Sequence, residues 1–165
     1  MTLEYLNEEK EKYEMLDERL LATPAIAVER CKAVTQTMAE ISKTTIDDAL
    51  STLTQYSDEV AQSVIKNEKK ADKYEDKLGS YLVKVSALEL SEADSAEAAM
   101  LLHIIGDFER ISDHAVNIVE SAEEIKEKGY FVCGITVYEP MNYFDDSGKL
   151  VGFDTELAEA VFAGL

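Results

Sequence analysis

Two pairs of carboxylates stand four residues apart, Glu68 with Asp72 and Glu109 with Asp113. On an α-helix, residues i and i+4 sit one above the other on one face, so each pair sets two carboxylates side by side. Asp76 continues the first row, and Asn117 and Glu120 prolong the second. Converging carboxylates suit hard cations that prefer oxygen ligands. The same spacing also describes a plain solvated acidic face, because a chain with 34 acidic residues contains such pairs by chance. Lys69 and Arg110 stand next to the rows and could neutralise them instead. His114 follows Asp113 but lies about 100° further around a helix, so it reads as a surface histidine. His103 lies beside an apolar face and reads as a packed one. Cys31 and Cys133 have no pairing spacing and read as small buried hydrophobes in a reducing compartment. The chain has no nucleophile set against a base, no glycine-rich phosphate loop and no Cys/His zinc spacing. Catalysis is therefore not expected.

The elements that must position these rows are long helices. Thr23-Pro24 is an N-cap followed by a proline suited to the first helical position. Ala27, Cys31, Val34, Met38 and Ile41 follow at steps of four and three, and Ala49, Leu53 and Tyr56 resume the face. A helix is expected over 24–54. Ser57-Asp58-Glu59 caps a second helix with the stripe Val60, Val64, Asn67, Ala71, Tyr74, Leu78, Tyr81 and Val85. Tyr74 and Tyr81 fall at the edge of that core. Ser91 with Asp94 reads as a capping box for a third helix. Its stripe is Leu101, Ile104, Phe108, Ile111, Ala115, Ile118, Ala122 and Ile125, and Gly129 closes it. Three long helices with short turns predict an all-α fold, an antiparallel three-helix bundle. After Gly129 the pattern changes. Phe131–Val137 reads as a buried strand, Asp145–Gly148 as a turn, and Thr155–Ala163 as a short helix N-capped by Asp154 and stopped by Gly164. The expected organisation is a charged lead-in arm over 1–23, a bundle over 24–129 and a strand-turn-helix fragment over 130–165.

Composition narrows the partners. Hydrophobic residues make up 46% of the chain, enough for a buried core, and the formal net charge is -18. Such a chain repels nucleic-acid phosphates and anionic lipid heads, and attracts cations or a basic partner surface. The charged N-terminus lacks the apolar core of a signal peptide, and no stretch reaches the ~18 apolar residues of a membrane span. Neither nucleic-acid binding nor membrane insertion is expected, and the localisation expected is cytoplasmic, at most reaching the inner face of the membrane through a transporter.

The run EKKADKYEDKLGSYLVKVS from Glu68, followed by LLHIIGDFERISDHAVNIVESAEEI from Leu101, resembles the PhoU family. It is most similar to the PhoU-like domain appended to bacterial sodium/phosphate cotransporters, and LDERLLATPAIAVERC from Leu16 resembles the segment that enters that domain. The resemblance spans Leu16 to Lys128. It implies one three-helix half of a PhoU-like domain, a regulatory role in phosphate uptake, and a membrane phosphate transporter or phosphate-signalling protein as partner. It also implies an iron or zinc cluster held by the E-x-x-x-D residues Glu68, Asp72, Glu109 and Asp113. The family domain has two such halves and this chain has one, so a homodimer is expected to supply the other. From Cys133, CGITVYEPMNYFDDSGKLVGFDTELAEAVFAGL is similar to the opening of a periplasmic amino-acid-binding protein of an ABC importer. That resemblance implies a vestigial ligand-stacking role for Tyr138 and reads the join near Lys128-Gly129 as a fusion of two truncated genes or an artefact of gene assembly. The alternatives to a phosphate-linked regulator are a fragment of such a solute-binding protein and a metal-free helical interaction module.

Overall fold

The structure is a computed structural model that describes residues 16–130, 132 and 134–162, with the side chains of 161 and 162 excepted. The chain divides into two units, Met1–Glu120 and Ser121–Leu165.

The first unit opens with a five-residue 3-10 turn, Glu18–Ala22, in the stretch expected to be an arm. Asp17 starts it by accepting a hydrogen bond from the Arg19 backbone N–H at 2.8 Å. Helix α1, Pro24–Thr54, has the bounds expected from the sequence, with proline in its first turn. Thr23 makes no side-chain capping bond; its carbonyl instead receives the N–H groups of Ile26 and Ala27. Helix α2 is Asp58–Ser86, and Ser57 precedes it in extended conformation, again with no side-chain capping bond. Helix α3 is Glu92–Lys128. Its capping box forms in part: Ser91 Oγ accepts from the Asp94 N–H at 3.1 Å, and the Ser91 hydroxyl donates to the Asp94 carboxylate at 2.7 Å.

The three helices pack as a bundle around two apolar clusters. One joins Ala27–Met38 positions of α1 to Ala71–Val85 positions of α2 and to Ala98, Leu101 and Ile105 of α3. The other joins Ala49 of α1, Ala61 and Val64 of α2, and Ala115 and Val119 of α3. Early α1 therefore meets late α2 and early α3, while late α1 meets early α2 and later α3. The helices run up, down and up.

The structure moves several stripe positions. On α3 the buried residues are Ala98, Leu101, Ile105, Ser112, Ala115, Val119 and Ala122, while Ile111 is 38% exposed. Ile104, Ile111 and Ile118 thus give way to Ile105, Ser112 and Val119, one residue further on. Both stripes step by three and four, so spacing fits either; the inward hydroxyl of Ser112 selects the second. On α1, Ser42 and Thr52 are buried beside the expected Ile41 and Leu53, which are half-buried, and Thr35 and Thr45 are buried as well. On α2, Val60 and Asn67 are half-buried, Ala61 and Leu82 join the core, and Tyr74 and Tyr81 are fully inside rather than at its edge.

In the second unit, Gly129 (φ 71°) ends α3 and donates its N–H to the Ile125 carbonyl at 2.8 Å, as its C-terminal role requires. The described residues of the expected strand, Val132 and 134–137, are not assigned to one and are exposed, Val132 by 84%; Phe131 and Cys133 lie outside the described residues. An extended run needs a partner strand for its N–H and C=O groups, and none pairs with those residues. The turn at Asp145–Gly148 does form, between strands β1 (Tyr143–Phe144) and β2 (Leu150–Val151), paired antiparallel. Helix α4 spans Phe153–Phe162. Asp154 does not cap it; its carboxylate accepts from Asn142 Nδ2 at 3.1 Å, and Thr155 donates to Asn142 Oδ1 at 2.8 Å. The tight entry needs Gly152 (φ 126°), where a Cβ would collide with the Met141 carbonyl. Gly164 lies outside the described residues.

Candidate functional site

Helices α2 and α3 place the carboxylate rows beside their buried stripes, where flanking residues of neighbouring helices face one another. Glu68 and Glu109 are half-buried, and Asp72 and Asp113 are exposed. The rows act on each other. Burial raises the Glu68 carboxyl above its ordinary range, and the negative charges of Asp72, Asp113 and Glu109 push it further, with Lys69 opposing. Charge from both rows therefore converges on one side chain.

Glu75 belongs to the same face, and the sequence reading missed it. Burial raises its carboxyl too, followed by Asp76, Glu109 and Asp72. The spacing held the signal: 68, 72 and 75 follow steps of four and three, the same rule that placed the apolar stripe. Arg110, considered as a neutraliser, pairs instead with Asp107 at 3.3 Å on its own helix.

Among the described residues, no group of three or more His, Cys, Asp or Glu side chains is placed to hold a metal ion. The rows are thus within electrostatic reach without converging into a closed ligand set, and their donors are all carboxylate oxygens. His114 is exposed, as expected. His103 is exposed as well, not packed. Cys31 is a free, fully buried thiol, and burial pushes its pKa up to about 12, so it sits there as a small hydrophobe. Tyr138, in the second unit, is 68% exposed and forms an isolated bridge with Asn142. No described helix is long and apolar enough to cross a membrane.

An up-down-up bundle of three long helices with an acidic seam along α2 and α3 defines an all-α helical-bundle domain class. The PhoU domain family model matches residues 35–122, more than half of the chain, and the chain belongs to that family. The match runs from the middle of α1 through α2 and most of α3. No curated protein and no solved structure is significantly similar to the chain.

Proposed function

We propose that the bundle is a non-enzymatic regulatory domain for phosphate uptake, acting in the cytoplasm on a membrane phosphate transporter or a phosphate-signalling protein. The family match over the three packed helices carries this reading. The likeness to the domain of sodium/phosphate cotransporters makes a transporter of that kind the first partner to test. The functional unit is residues 24–129, and a second copy of the chain supplies the half that a full family domain would contain. Expression of the chain in a bacterial host lacking its own regulator of this family tests the reading. Restored repression of a phosphate-starvation reporter in high phosphate is the expected result. A reporter indifferent to the chain, at confirmed expression, would count against it.

A second reading concerns cations at Glu68, Asp72, Glu109 and Asp113, and it is favoured by the mutual repulsion that lifts Glu68. A cation bound there would relieve that repulsion. Binding to the folded state alone raises stability by about 2.7 kcal/mol at 100-fold excess over the dissociation constant. Thermal melts of wild type and Asp72→Asn/Asp113→Asn, with and without iron(III), zinc or manganese, decide it. A metal-dependent rise only in wild type is expected; identical responses in both would leave a solvated acidic face. The alternative of a solute-binding-protein fragment gains nothing from the second unit, where the described residues of the expected strand carry no strand assignment and Tyr138 is 68% exposed.

A further inference from the structure

The 3-10 turn before α1 lies across the richly packed end of the bundle, yet little holds it. Among residues 16–22 none is fully buried. Leu16, Leu20 and Leu21 are half-buried and pack on the cluster that contains Cys31, Tyr81, Leu82 and Val85. Two polar tethers supplement them. The Tyr81 hydroxyl donates to the Asp17 carbonyl at 2.8 Å, and Lys84 pairs with Glu18, with both of those side chains at least half exposed. Among the described residues, the other polar bonds of 16–22 are internal, between Asp17 and Arg19 and in the turn's own backbone. A 3-10 turn of five residues has weak hydrogen-bond geometry and little stability of its own. An open cleft of about 600 Å³ borders the turn, lined by Leu16 and Glu18 on one side and by Asp76, Lys77, Ser80, Tyr81 and Lys84 of α2 on the other.

What lies beneath is different in kind. Cys31 is wholly buried, and Tyr81 is 5% exposed. Ionisation of Tyr81 is opposed by burial first and then by Cys31, Asp17 and Glu18, which marks the thiol and the turn as neighbours of the same ring. The helices under the turn are 31, 29 and 37 residues long and carry the large apolar cluster. Segments with few buried contacts open at lower free energy than the core they rest on.

We propose that Leu16–Thr23 is a detachable strap, which lifts from α2 as a unit while α1–α3 stay folded and so uncovers the apolar seat around Cys31 and Tyr81. The occupant of the seat is the strap itself. Thr23, with an irregular backbone (φ -132°, ψ 85°) directly before Pro24, is the hinge. Pro24 lacks an N–H, so no donor is uncovered at the hinge, and rotation about the φ of Thr23 leaves its carbonyl on the Ile26 and Ala27 N–H groups of α1. The strap gives the bundle a two-state surface: closed, its end is covered by leucines; open, it offers an apolar trough beside Lys84.

Native-state labelling of Cys31 with a thiol reagent tests this, in the full chain carrying Cys133→Ser so that one thiol reports. Labelling of the parent is expected to proceed well below the urea midpoint, with a urea dependence much weaker than that of helix loss followed by circular dichroism. Removing the tethers with Tyr81→Phe and Lys84→Met is expected to speed labelling about tenfold, since a net hydrogen bond and an exposed ion pair together amount to roughly that factor. The helix-unfolding midpoint should move far less. Leu20→Ala with Leu21→Ala, which leaves α1–α3 untouched, should speed it further. If labelling in every variant follows the urea dependence of helix loss, Cys31 is reached only by global unfolding and the strap is a fixed part of the core.

Discussion

The two ends of the bundle solve the same packing problem with different residues. At the end where α1 begins, Met38, Tyr74, Leu78, Leu82 and Ile105 fill the space between the helices. At the other end the fully buried apolar residues are the smaller Ala49, Ala61, Val64, Ala115 and Val119, with Ile46, Tyr56, Val116 and Ile118 half-buried against them. Small side chains bury less area, so this end gains less from the hydrophobic effect. Hydroxyls take part of the place of bulk there. Thr45 and Thr52 bond back to the carbonyls of Ile41 and Ala49 at 2.7 and 2.6 Å, which lets a polar residue lie inside without an unsatisfied donor. Between the two ends Ser42 and Ser112 meet across α1 and α3, 3.1 Å apart, both within reach of the Phe108 carbonyl. The acidic rows run beside the junction of the two clusters, between Val64 and Tyr74 on α2 and between Phe108 and Ala115 on α3. A buried hydroxyl also lies at the rich end, where Thr35 bonds back to the Cys31 carbonyl at 2.8 Å, so the contrast between the ends is one of side-chain bulk.

The largest expected effect tests the asymmetry directly. Leu82→Ala, at a fully buried site in the rich cluster, should cost about 2–5 kcal/mol through lost transfer energy and the cavity left behind. Val119→Ala removes two methyl groups from the thin end and should cost about 1.6 kcal/mol. Urea unfolding of both variants measures the difference. Equal losses would mean that the thin end packs as tightly as the other and that the contrast in residue size has no energetic counterpart.

Much of this was legible in the sequence, and the exceptions share a cause. The bounds of α1 followed from Thr23-Pro24 and the apolar steps, and the Ser91-Asp94 cap located α3. Periodicity failed where two phases were equally regular. Ile104, Ile111 and Ile118 attracted the stripe because they are large and apolar, whereas Ser112 lies inside because it finds Ser42. A partner 70 residues away is not a local signal. The strand over 131–137 was read from β-branched composition, but a strand exists only with a neighbour to pair. For the site, the four carboxylates and their rows were legible from spacing. Their mutual approach, and the part of Glu75 in it, needed the packing of α2 on α3.

A smaller effect should come from the hydroxyl pair. Ser42→Ala or Ser112→Ala alone should cost about 1 kcal/mol, the usual net worth of a buried hydrogen bond, more if a donor is stranded. The double variant should cost less than the sum, because each single change removes the same interaction. A double-mutant cycle by urea unfolding reads this coupling. Strict additivity would show that each serine is satisfied by its neighbouring carbonyl, Met38 or Phe108, and that the link between α1 and α3 carries nothing.

The smallest expected effect has opposite signs at two glutamates. Glu68 stands among Asp72, Asp113 and Glu109, whereas Glu97, near the start of α3, pairs with Lys32 of α1 at 2.6 Å. Glu68→Gln removes a repelled charge, and like charges at helical spacing destabilise by about 0.2–0.5 kcal/mol, so the variant should be that much more stable at pH 7. Glu97→Gln should instead lose up to about 1 kcal/mol, the range of exposed ion pairs. The pH dependence separates charge from shape. Because the folded carboxyl of Glu68 is raised above its ordinary 4.5, the native state binds more protons than the unfolded chain through that interval. Stability conferred by this group therefore falls as pH rises through the interval, and the penalty is complete at neutral pH. Below the ordinary value both states are protonated, the penalty vanishes, and glutamine no longer helps. Melts of Glu68→Gln from pH 7 down to about 4 should show its advantage over wild type shrinking toward zero. An advantage that persists unchanged at low pH would assign it to packing of the amide, and the acidic rows would then carry no repulsion that matters to stability.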